Sequence, residues 1–322
     1  MKEGDIGADW GRGGGRGGRL AATGHDNRAV ATYRPVQTAH LFCDSTQAQA
    51  QVVLYCSGRH MDRLAVGLRE WRPGRVVLWD NSSPADLAIG EEHRPGVGDW
   101  TWLSSDAGNL GFGRAHNRLA ATAPARCKYL LFLNPDAVPE FDCLQRLVAK
   151  AEANPRAALI EAAQFPIEHP KGYDPETGET NWCSGACLLV RRAAFDELGG
   201  FDPAFFLYCE DVDLSWRAWL AGWQCLYVPD ARCLHVTEGE DVGKDRTTEV
   251  FHSHLSQLYL RRKHFGEQAM QDYLGAMRER LSPRFVDRVL GQLAPLPEAT
   301  GYPADNPHIV LTPGEAYGPR RW

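Results

Sequence analysis

The sequence contains no run of about 18 apolar residues, the length that a helix needs to cross a bilayer. Its start shows no apolar core of a signal peptide. The nine cysteines include no Cys-x-x-Cys pair, which disfavours zinc and disulfide frameworks and favours reduced, mostly buried thiols. The net charge of −6 comes without the clustered Lys and Arg that bind nucleic acid. These absences predict a soluble cytoplasmic protein with no nucleic-acid partner, and they leave peripheral contact with the inner membrane face open.

Residues 1–48 have a low-complexity composition, and residues 11–19 consist only of glycine and arginine. Such a segment cannot bury enough apolar surface to offset the chain entropy lost on folding. A phosphate-binding glycine loop would need an apolar strand directly before it, and residues 1–10 supply none. We therefore predict a disordered tail over residues 1–48.

Apolar strands alternate with helices from residue 49 onward. This alternation predicts an α/β fold with a doubly wound, mostly parallel central sheet flanked by helices. We expect a Rossmann-like nucleotide-binding half at 49–140, an acceptor and catalytic half at 141–265, and a helical, proline-rich extension at 266–322. The pattern predicts strands at 52–56, 76–79, 100–103, 129–133, 157–163 and 186–190, and helices at 61–71, 113–123, 139–153, from about 213, and at 246–265.

Two carboxylates follow predicted strands, at the edge where doubly wound sheets bind ligands. Asp80 comes directly before Asn81, and its carboxylate can accept a hydrogen bond from a base imide or a ribose hydroxyl. Asp136 follows the strand at 129–133 and could hold a divalent cation between two phosphates, because hard cations prefer oxygen ligands. Either carboxylate could instead serve only as the polar residue of a turn.

Three acids, Glu210, Asp211 and Asp213, lie within four residues, directly after an aromatic-rich turn at 205–208. One acid would be enough to cap a helix and complement its dipole. A carboxylate that is partly desolvated beside aromatic rings could act as general base toward a sugar hydroxyl. The acids therefore predict a catalytic centre at the start of a helix.

The segment at 182–186 combines an aromatic residue with small ones. Ser184 and Gly185 would let the backbone approach a sugar closely. Trp182 could stack on a sugar ring or pack in the core, and the residues alone do not decide between these roles. His235 taken alone is more typical of an ordinary packed or surface histidine.

Several short blocks occur in one order over roughly residues 50–265, and together they resemble the family 2 glycosyltransferases, in particular the rhamnosyltransferase-like branch. The resemblance covers neither the Gly/Arg-rich start nor the proline-rich end. The blocks are VLWDNS at 77–82, NLGFG at 109–113 with Asn117, LNPDA at 133–137, SGA at 184–186, GGFD at 199–202, EDVDL at 210–214 with Arg217, and His235.

The resemblance implies a GT-A fold, a hexosyltransferase activity with inversion at the anomeric carbon, a nucleotide-sugar donor and a divalent cation, Mg²⁺ or Mn²⁺. By position, Asp80 would contact the nucleotide and Asp136 would bind the metal. Asp211 matches the general base, and Glu210 would orient the acceptor or Asp211. His235 matches a position that ligates the metal in some members.

The remaining site residues are assigned from the same blocks. Asn134 stands where the family's Asp-x-Asp motif has its first acid, so metal binding would depend on Asp136 and His235. The Asn-Pro-Asp-Ala form favours dTDP-rhamnose as donor, with a UDP-sugar as the alternative, and the acceptor would be a glycan, a lipid-linked sugar or a small molecule. The donor side is predicted to include Asn81, Asn109, Asn134 and Arg217, and the acceptor side Trp182, Ser184, Gly185 and Asp213.

Two other functions remain open. A glycosyltransferase-like module could bind nucleotide or sugar without catalysis, although the intact acids Asp136, Glu210 and Asp211 argue against that loss. A sugar nucleotidyltransferase would need a glycine-rich basic loop directly after the first strand, and residues 56–60 contain a single glycine.

Overall fold

The computed structural model describes residues 45–71, 73–82, 100–104, 108–166, 171–235, 247–293 and 300–301. Of the predicted disordered tail, residues 1–44 lie outside these ranges, and Ala48 is already the first residue of the first strand. Most of the predicted proline-rich end also lies outside them.

In the described part of the chain, eight strands form one sheet in the order β3-β2-β1-β4-β7-β6-β8-β5. Of the seven pairings between the described strands, four are parallel, and β7 and β5 supply the antiparallel ones. The strands are β1 Ala48–Leu54, β2 Arg75–Asp80, β3 Trp100–Ser104, β4 Tyr129–Leu133, β5 Ala137–Pro139, β6 Ala157–Phe165, β7 Cys187–Arg191 and β8 Gln224–His235.

Helices cover both faces of this sheet, as the predicted doubly wound α/β fold requires. One face packs on α1 and α3, and the other on α2, α4 and α5. Leu131 and Leu133 of β4 enter the first core, while Leu130 and Phe132 enter the second. The unbroken apolar run of β4 follows from this burial on both faces. The helices are α1 Met61–Trp71, α2 Phe112–Ala120, α3 Cys143–Ala153, α4 Arg192–Glu197, α5 Glu210–Leu220, α6 Thr247–Arg280 and α7 Pro283–Leu290.

Two predicted helix starts were wrong. The helix predicted from residue 139 begins at Cys143, because Ala137–Pro139 form β5 and pair with β8. Proline is accepted there since β5 lies at the edge of the sheet. The helix predicted from about residue 213 begins at Glu210, so all three acids lie in the first turn of α5.

The C-terminal helices form a small core of their own. Gly266 has φ +83° and breaks α6 where the predicted helix at 246–265 ends. The second part of α6 packs on α7 through Met270, Leu274, Val286 and Val289. Within the described residues, no helix is long and apolar enough to span a membrane. The eight described cysteines are free thiols and all but Cys56 are buried, as predicted.

Candidate active site

The polar residues at the end of β2 organise the turn before α2. Asp80 is buried, and its Oδ1 accepts a hydrogen bond from the Ser82 amide at 2.8 Å. Asn81 accepts from the Trp79 indole at 2.9 Å and the Leu110 amide at 3.1 Å, and donates to Gly111 O at 3.0 Å. These bonds engage both ends of the Asn81 amide, so the structure gives Asn81 the role of holding the turn rather than the predicted direct contact with a donor.

The turn at 108–111 joins the start of α2 to the aromatic loop before α5. Asn109 Oδ1 accepts from the Gly111 amide at 2.8 Å, which shapes the turn. The Phe112 amide donates to Phe206 O at 2.9 Å. Gly111 has φ +80°, and a Cβ atom there would collide with the Phe206 carbonyl oxygen. Glycine is therefore required at this position for both its conformation and its size.

We expect Gly111→Ala to lower the free energy of unfolding by about 1–3 kcal/mol, because the alanine would be strained and would push the loop at 206 away. Denaturant titration would measure this loss. Gly275→Ala is the matched control, since Gly275 lies within α6 with no atom within 4 Å of the added Cβ. That control should be stabilising by about 0.5–1 kcal/mol. An unchanged stability of Gly111→Ala would contradict the described turn.

Asp136 and His235 come together through the register of two strands. Ala137 of β5 pairs with His235 of β8, so the residue before β5 faces the end of β8. Asp136 Oδ1 lies 3.4 Å from His235 Nε2. His235 is buried, and its Nδ1 lies 2.8 Å from Gln164 Oε1. Burial would raise the pKa of Asp136, but the hydrogen bond and charge of His235 outweigh it and lower this pKa.

This pair fits a divalent cation. Gln164 Oε1 can accept the Nδ1 proton of a neutral His235, and in that tautomer Nε2 carries the lone pair that a cation would bind. Such an outer hydrogen bond is usual for metal-binding histidines. Two ligands about 2.1 Å from one cation lie about 3 Å apart, close to the observed spacing. Within the described residues, no group of three metal-binding side chains exists. Mg²⁺ sites usually complete their shell with phosphates and water, so two protein ligands suit a cation that binds with a diphosphate.

Asp211 is connected to Asn134 through Gly185 and Ala186, by one side-chain and one backbone hydrogen bond. Asp211 Oδ2 accepts from the Gly185 amide at 2.9 Å, and Oδ1 accepts from the Val212 amide at 2.8 Å. Ala186, the residue after Gly185, accepts a hydrogen bond at its carbonyl oxygen from the Asn134 amide, at 2.9 Å. The half-buried carboxylate of Asp211 thus lies one short segment away from the loop that carries Asp136. Burial raises the pKa of Asp211, although the two amide bonds counteract part of that effect.

A buried ion pair contacts the 182–186 segment on its interior side. Glu161 lies in β6 and pairs with Lys171, and both side chains are at most 2% exposed. Glu161 Oε2 also accepts from the Ser184 amide at 2.8 Å, and the Lys171 ammonium lies 4.0 Å from the Trp182 ring centroid. Neither residue of this pair was predicted from the sequence as part of the site. A charged residue inside the apolar run of β6 was the available signal for Glu161, whereas nothing near Lys171 in the sequence distinguishes it.

Glu210 is the first residue of α5 and directly precedes Asp211. It is 5% exposed, and its Oε2 has no hydrogen-bond partner within the described residues. Burial raises its pKa to about 8, and the nearby charge of Asp211 adds to the shift. The raised pKa favours the neutral form of Glu210 at pH 7, next to the partly exposed carboxylate of Asp211.

Three predicted site residues have structural roles instead. Trp182 packs in a core cluster with Phe205 and Trp216, which decides its open role in favour of packing. Asp213 is fully buried, and Arg217 donates to it at 2.8 Å. Burial would raise the pKa of Asp213, but the His264 hydrogen bond and the Arg217 and Lys263 charges hold it well below its usual value.

Arg217 also donates to the carbonyl oxygens of Leu198 at 2.7 Å and Gly200 at 2.8 Å. This packing fits neither the predicted nucleotide contact of Arg217 nor the predicted sugar contact of Asp213. The i,i+4 spacing of the two residues is the sequence signal for their ion pair.

Comparison with known proteins relates this part of the chain to a family of transferases. Residues 137–277 match the family described as "Glycosyltransferase like family 2". Over these residues the chain is similar to the family 2 glycosyltransferases. It is 29% identical over 262 residues to the N-acetylglucosaminyl-diphospho-decaprenol L-rhamnosyltransferase of Mycobacterium tuberculosis, covering 66% of this chain and 84% of that protein. It is also 29% identical over 225 residues to rhamnosyltransferase WbbL of Escherichia coli, covering 59% of this chain and 83% of that protein.

The fold of the chain is GT-A, as the resemblance predicted. The chain superimposes on the mannosyltransferase PcManGT from Pyrobaculum calidifontis, solved in complex with GDP-Man and Mn²⁺, with a TM-score of 0.53 at 13% identity. The match covers 77% of this chain and 79% of that one. At this identity the similarity establishes the fold alone.

Proposed function

We propose that this protein is a glycosyltransferase, namely an inverting, divalent-cation-dependent hexosyltransferase. It transfers a sugar, with L-rhamnose from dTDP-rhamnose favoured, from a nucleoside diphosphate to an acceptor hydroxyl. The observation that supports this proposal most is the path of hydrogen bonds from Asp211 through Gly185 and Ala186 to Asn134, because it connects the candidate base to the loop that carries Asp136, the partner of His235.

In the proposed reaction, Asp211 takes the proton of the acceptor hydroxyl as its oxygen forms the bond to the anomeric carbon. The bond between that carbon and the diphosphate oxygen breaks on the opposite face, which inverts the anomeric centre and leaves the negative charge on the nucleoside diphosphate. The raised pKa of Asp211 makes it a stronger base than an exposed aspartate. A divalent cation held by Asp136 and His235 would neutralise the charge of the leaving diphosphate.

Further contacts support the proposed roles of Asp211 as base and of the Asp136–His235 pair as cation site. The Gly185 and Val212 amides fix the Asp211 carboxylate in one orientation, so the base is positioned before the acceptor binds. Asp80 and the turn at 108–111 lie at the end of β2, on the strand side where a nucleotide binds in doubly wound sheets. The buried Glu161–Lys171 pair holds Ser184 and hence the segment between both sites.

The named relatives support the choice of sugar and acceptor class. Both sequence relatives are named rhamnosyltransferases, and the name of the Mycobacterium tuberculosis protein describes an acceptor carried on diphospho-decaprenol. A lipid-linked acceptor would bring this protein to the cytoplasmic face of a membrane. The GDP-Man and Mn²⁺ bound to the Pyrobaculum calidifontis structure support a nucleotide-sugar and a divalent cation.

Thermal unfolding with UDP, dTDP, GDP and CDP, each with and without Mn²⁺, tests the donor site. A ligand at about 100 times its Kd should stabilise the protein by about 2.7 kcal/mol. We expect dTDP or UDP to stabilise it only with Mn²⁺, and Asp136→Ala to lose that metal-dependent part. The exposed Glu176→Ala serves as the control. Equal losses with and without Mn²⁺ would remove Asp136 from metal binding, and nucleotide binding without transfer to any acceptor would favour a non-catalytic module.

A further inference from the structure

One face of α6 contacts the loop that carries the candidate base, and these contacts extend along most of the loop. This base-carrying loop is defined as residues 202–213. Its contacts come from four α6 side chains spaced at helical repeats, so they project from the same face. They are His252 to Phe206, with ring centroids 4.5 Å apart, Ser256 to Leu207 O at 2.8 Å, Tyr259 to Phe205, with ring centroids 4.8 Å apart, and Lys263 to Asp202 at 2.7 Å.

Lys263 joins the two ends of the base-carrying loop. Its ammonium lies 2.7 Å from Asp202 Oδ2 and 2.6 Å from Asp213 Oδ1, although these acids are separated by ten residues in sequence. The Lys263 and Asp213 side chains are 7% and 0% exposed, so the ion pair is largely shielded from water. Asp213 follows the candidate base Asp211 by two residues within the same helical turn. A displacement of Asp213 would therefore move Asp211 with it.

The loop between these ends has a backbone that needs such support. Tyr208 and Cys209 have φ +69° and +66°, a region that residues with a Cβ atom rarely adopt. Such conformations persist only where the surrounding contacts determine them. They come immediately before Glu210, so they set the direction in which α5 begins.

The end of the described chain reinforces this part of α6. Because Gly266 breaks the helix, the Lys263 carbonyl oxygen accepts from the Thr300 amide at 2.7 Å. The neighbouring His264 contacts Asp213 Oδ1 through Nε2 and Gly301 O through Nδ1, both at 2.8 Å. The C-terminal segment is thus fastened to the same turn of α6 that holds Asp213.

We propose that Lys263 is a positioning residue for the candidate base: by binding Asp202 and Asp213 together, it holds the base-carrying loop in the conformation that fixes Asp211. This proposal rests on the proposed function for its kinetic consequence, but its structural part can be tested without any turnover. It also gives the C-terminal helices a role in building the site, beyond packing against the sheet.

Hydrogen exchange of the full-length protein tests the structural part. Lys263→Met should speed amide exchange within residues 203–212 by about tenfold or more, because an end of the loop is released. Asp202→Asn should do the same while leaving Asp213 paired with Lys263, so this milder variant remains informative if Lys263→Met fails to fold. The exposed Arg278→Met, on the far part of the same helix, is the control. Unchanged exchange in a folded Asp202→Asn protein would overturn the proposal.

Steady-state kinetics tests the functional part. In Asp202→Asn and Lys263→Met we expect kcat to fall about tenfold or more, with the KM for the nucleotide-sugar and the Mn²⁺-dependent nucleotide stabilisation unchanged. Lys263→Arg keeps a cation between the two acids and should recover part of kcat. A parallel loss of nucleotide binding, or no recovery with arginine, would indicate general disruption instead. A wild-type protein without transferase activity would refute the proposed function, while the exchange results would still decide the role of Lys263.

Discussion

Asp211→Asn is expected to lower kcat by about 10²- to 10⁴-fold, the usual contribution of a positioned base. The amide is nearly isosteric with the carboxylate, and its single oxygen can still accept from one of the Gly185 and Val212 amides, which donate to different oxygens of Asp211. It cannot take a proton from the acceptor hydroxyl at neutral pH. The loss should therefore appear in kcat, while Mn²⁺-dependent stabilisation by nucleotide stays close to wild type.

The comparison needs a control that changes an aspartate without touching the site. Asp196 is exposed in α4, where it pairs with Arg192, so Asp196→Asn should leave kcat within about twofold of wild type. Transfer would be measured as nucleoside diphosphate release with the acceptor in excess. Wild-type turnover in Asp211→Asn would exclude Asp211 as the base. A large loss of nucleotide binding in the same variant would show instead that the substitution disturbs the 185–186 segment.

The sequence predicted the parts of this structure that local pattern determines. The run at 129–133 is apolar at every position, and it forms β4 with the predicted bounds because both of its faces are buried. The helix at 61–71 also has its predicted bounds, since its apolar residues recur at helical spacing. Asp80 is the last residue of β2 and Asp136 follows β4, so both lie at the carboxyl ends of strands, as expected.

The remaining features depend on contacts between distant segments. β5 contains only three residues, and it exists because Ala137–Pro139 pair with the end of β8, about 100 residues later. That pairing also brings Asp136 to His235, which no local pattern could show. The roles of Asp213 and Lys171 depend in the same way on partners that fold against them, Lys263 on α6 and Glu161 on β6. Short-range periodicity carries no information on such pairs.

The acid cluster at the start of α5 shows how similar residues acquire different roles. Glu210, Asp211 and Asp213 lie in one helical turn, and only the family resemblance, not the local sequence pattern, assigned them different roles. Asp213 faces Lys263, His264 and Arg217, so it stays ionised and holds the helix. Asp211 faces two amides and is half-buried, and Glu210 faces the interior without a hydrogen bond to its Oε2 within the described residues. The position of each side chain around the helix, rather than its residue type, determines the different roles of these three acids.

The buried position of Glu210 predicts a pH dependence of stability. Its pKa is raised from 4.5 to about 8 in the folded protein, mainly by burial. Between these values the folded state retains a proton that the unfolded chain has released, so the free energy of unfolding falls as the pH rises from about 4.5 to 8. The difference amounts to about 3 kcal/mol by pH 7. Below pH 4.5 both states are protonated at this residue, and the effect vanishes.

Glu210→Gln removes this titration while keeping the shape of the side chain. We expect its free energy of unfolding to change less between pH 5 and 8 than that of the wild type, by about 3 kcal/mol, because an amide has no proton to release over this range. The free energy of unfolding of Glu210→Gln at any one pH also changes for a second reason, because the buried amide has two N–H donors that need hydrogen-bond partners. The slope with pH is therefore the decisive quantity, and denaturant titrations at pH 5, 6, 7 and 8 would measure it. The exposed Glu176→Gln should reproduce the wild-type slope. If Glu210→Gln does so too, Glu210 is already ionised in the folded protein, and Asp211 has a second negative charge beside it at neutral pH.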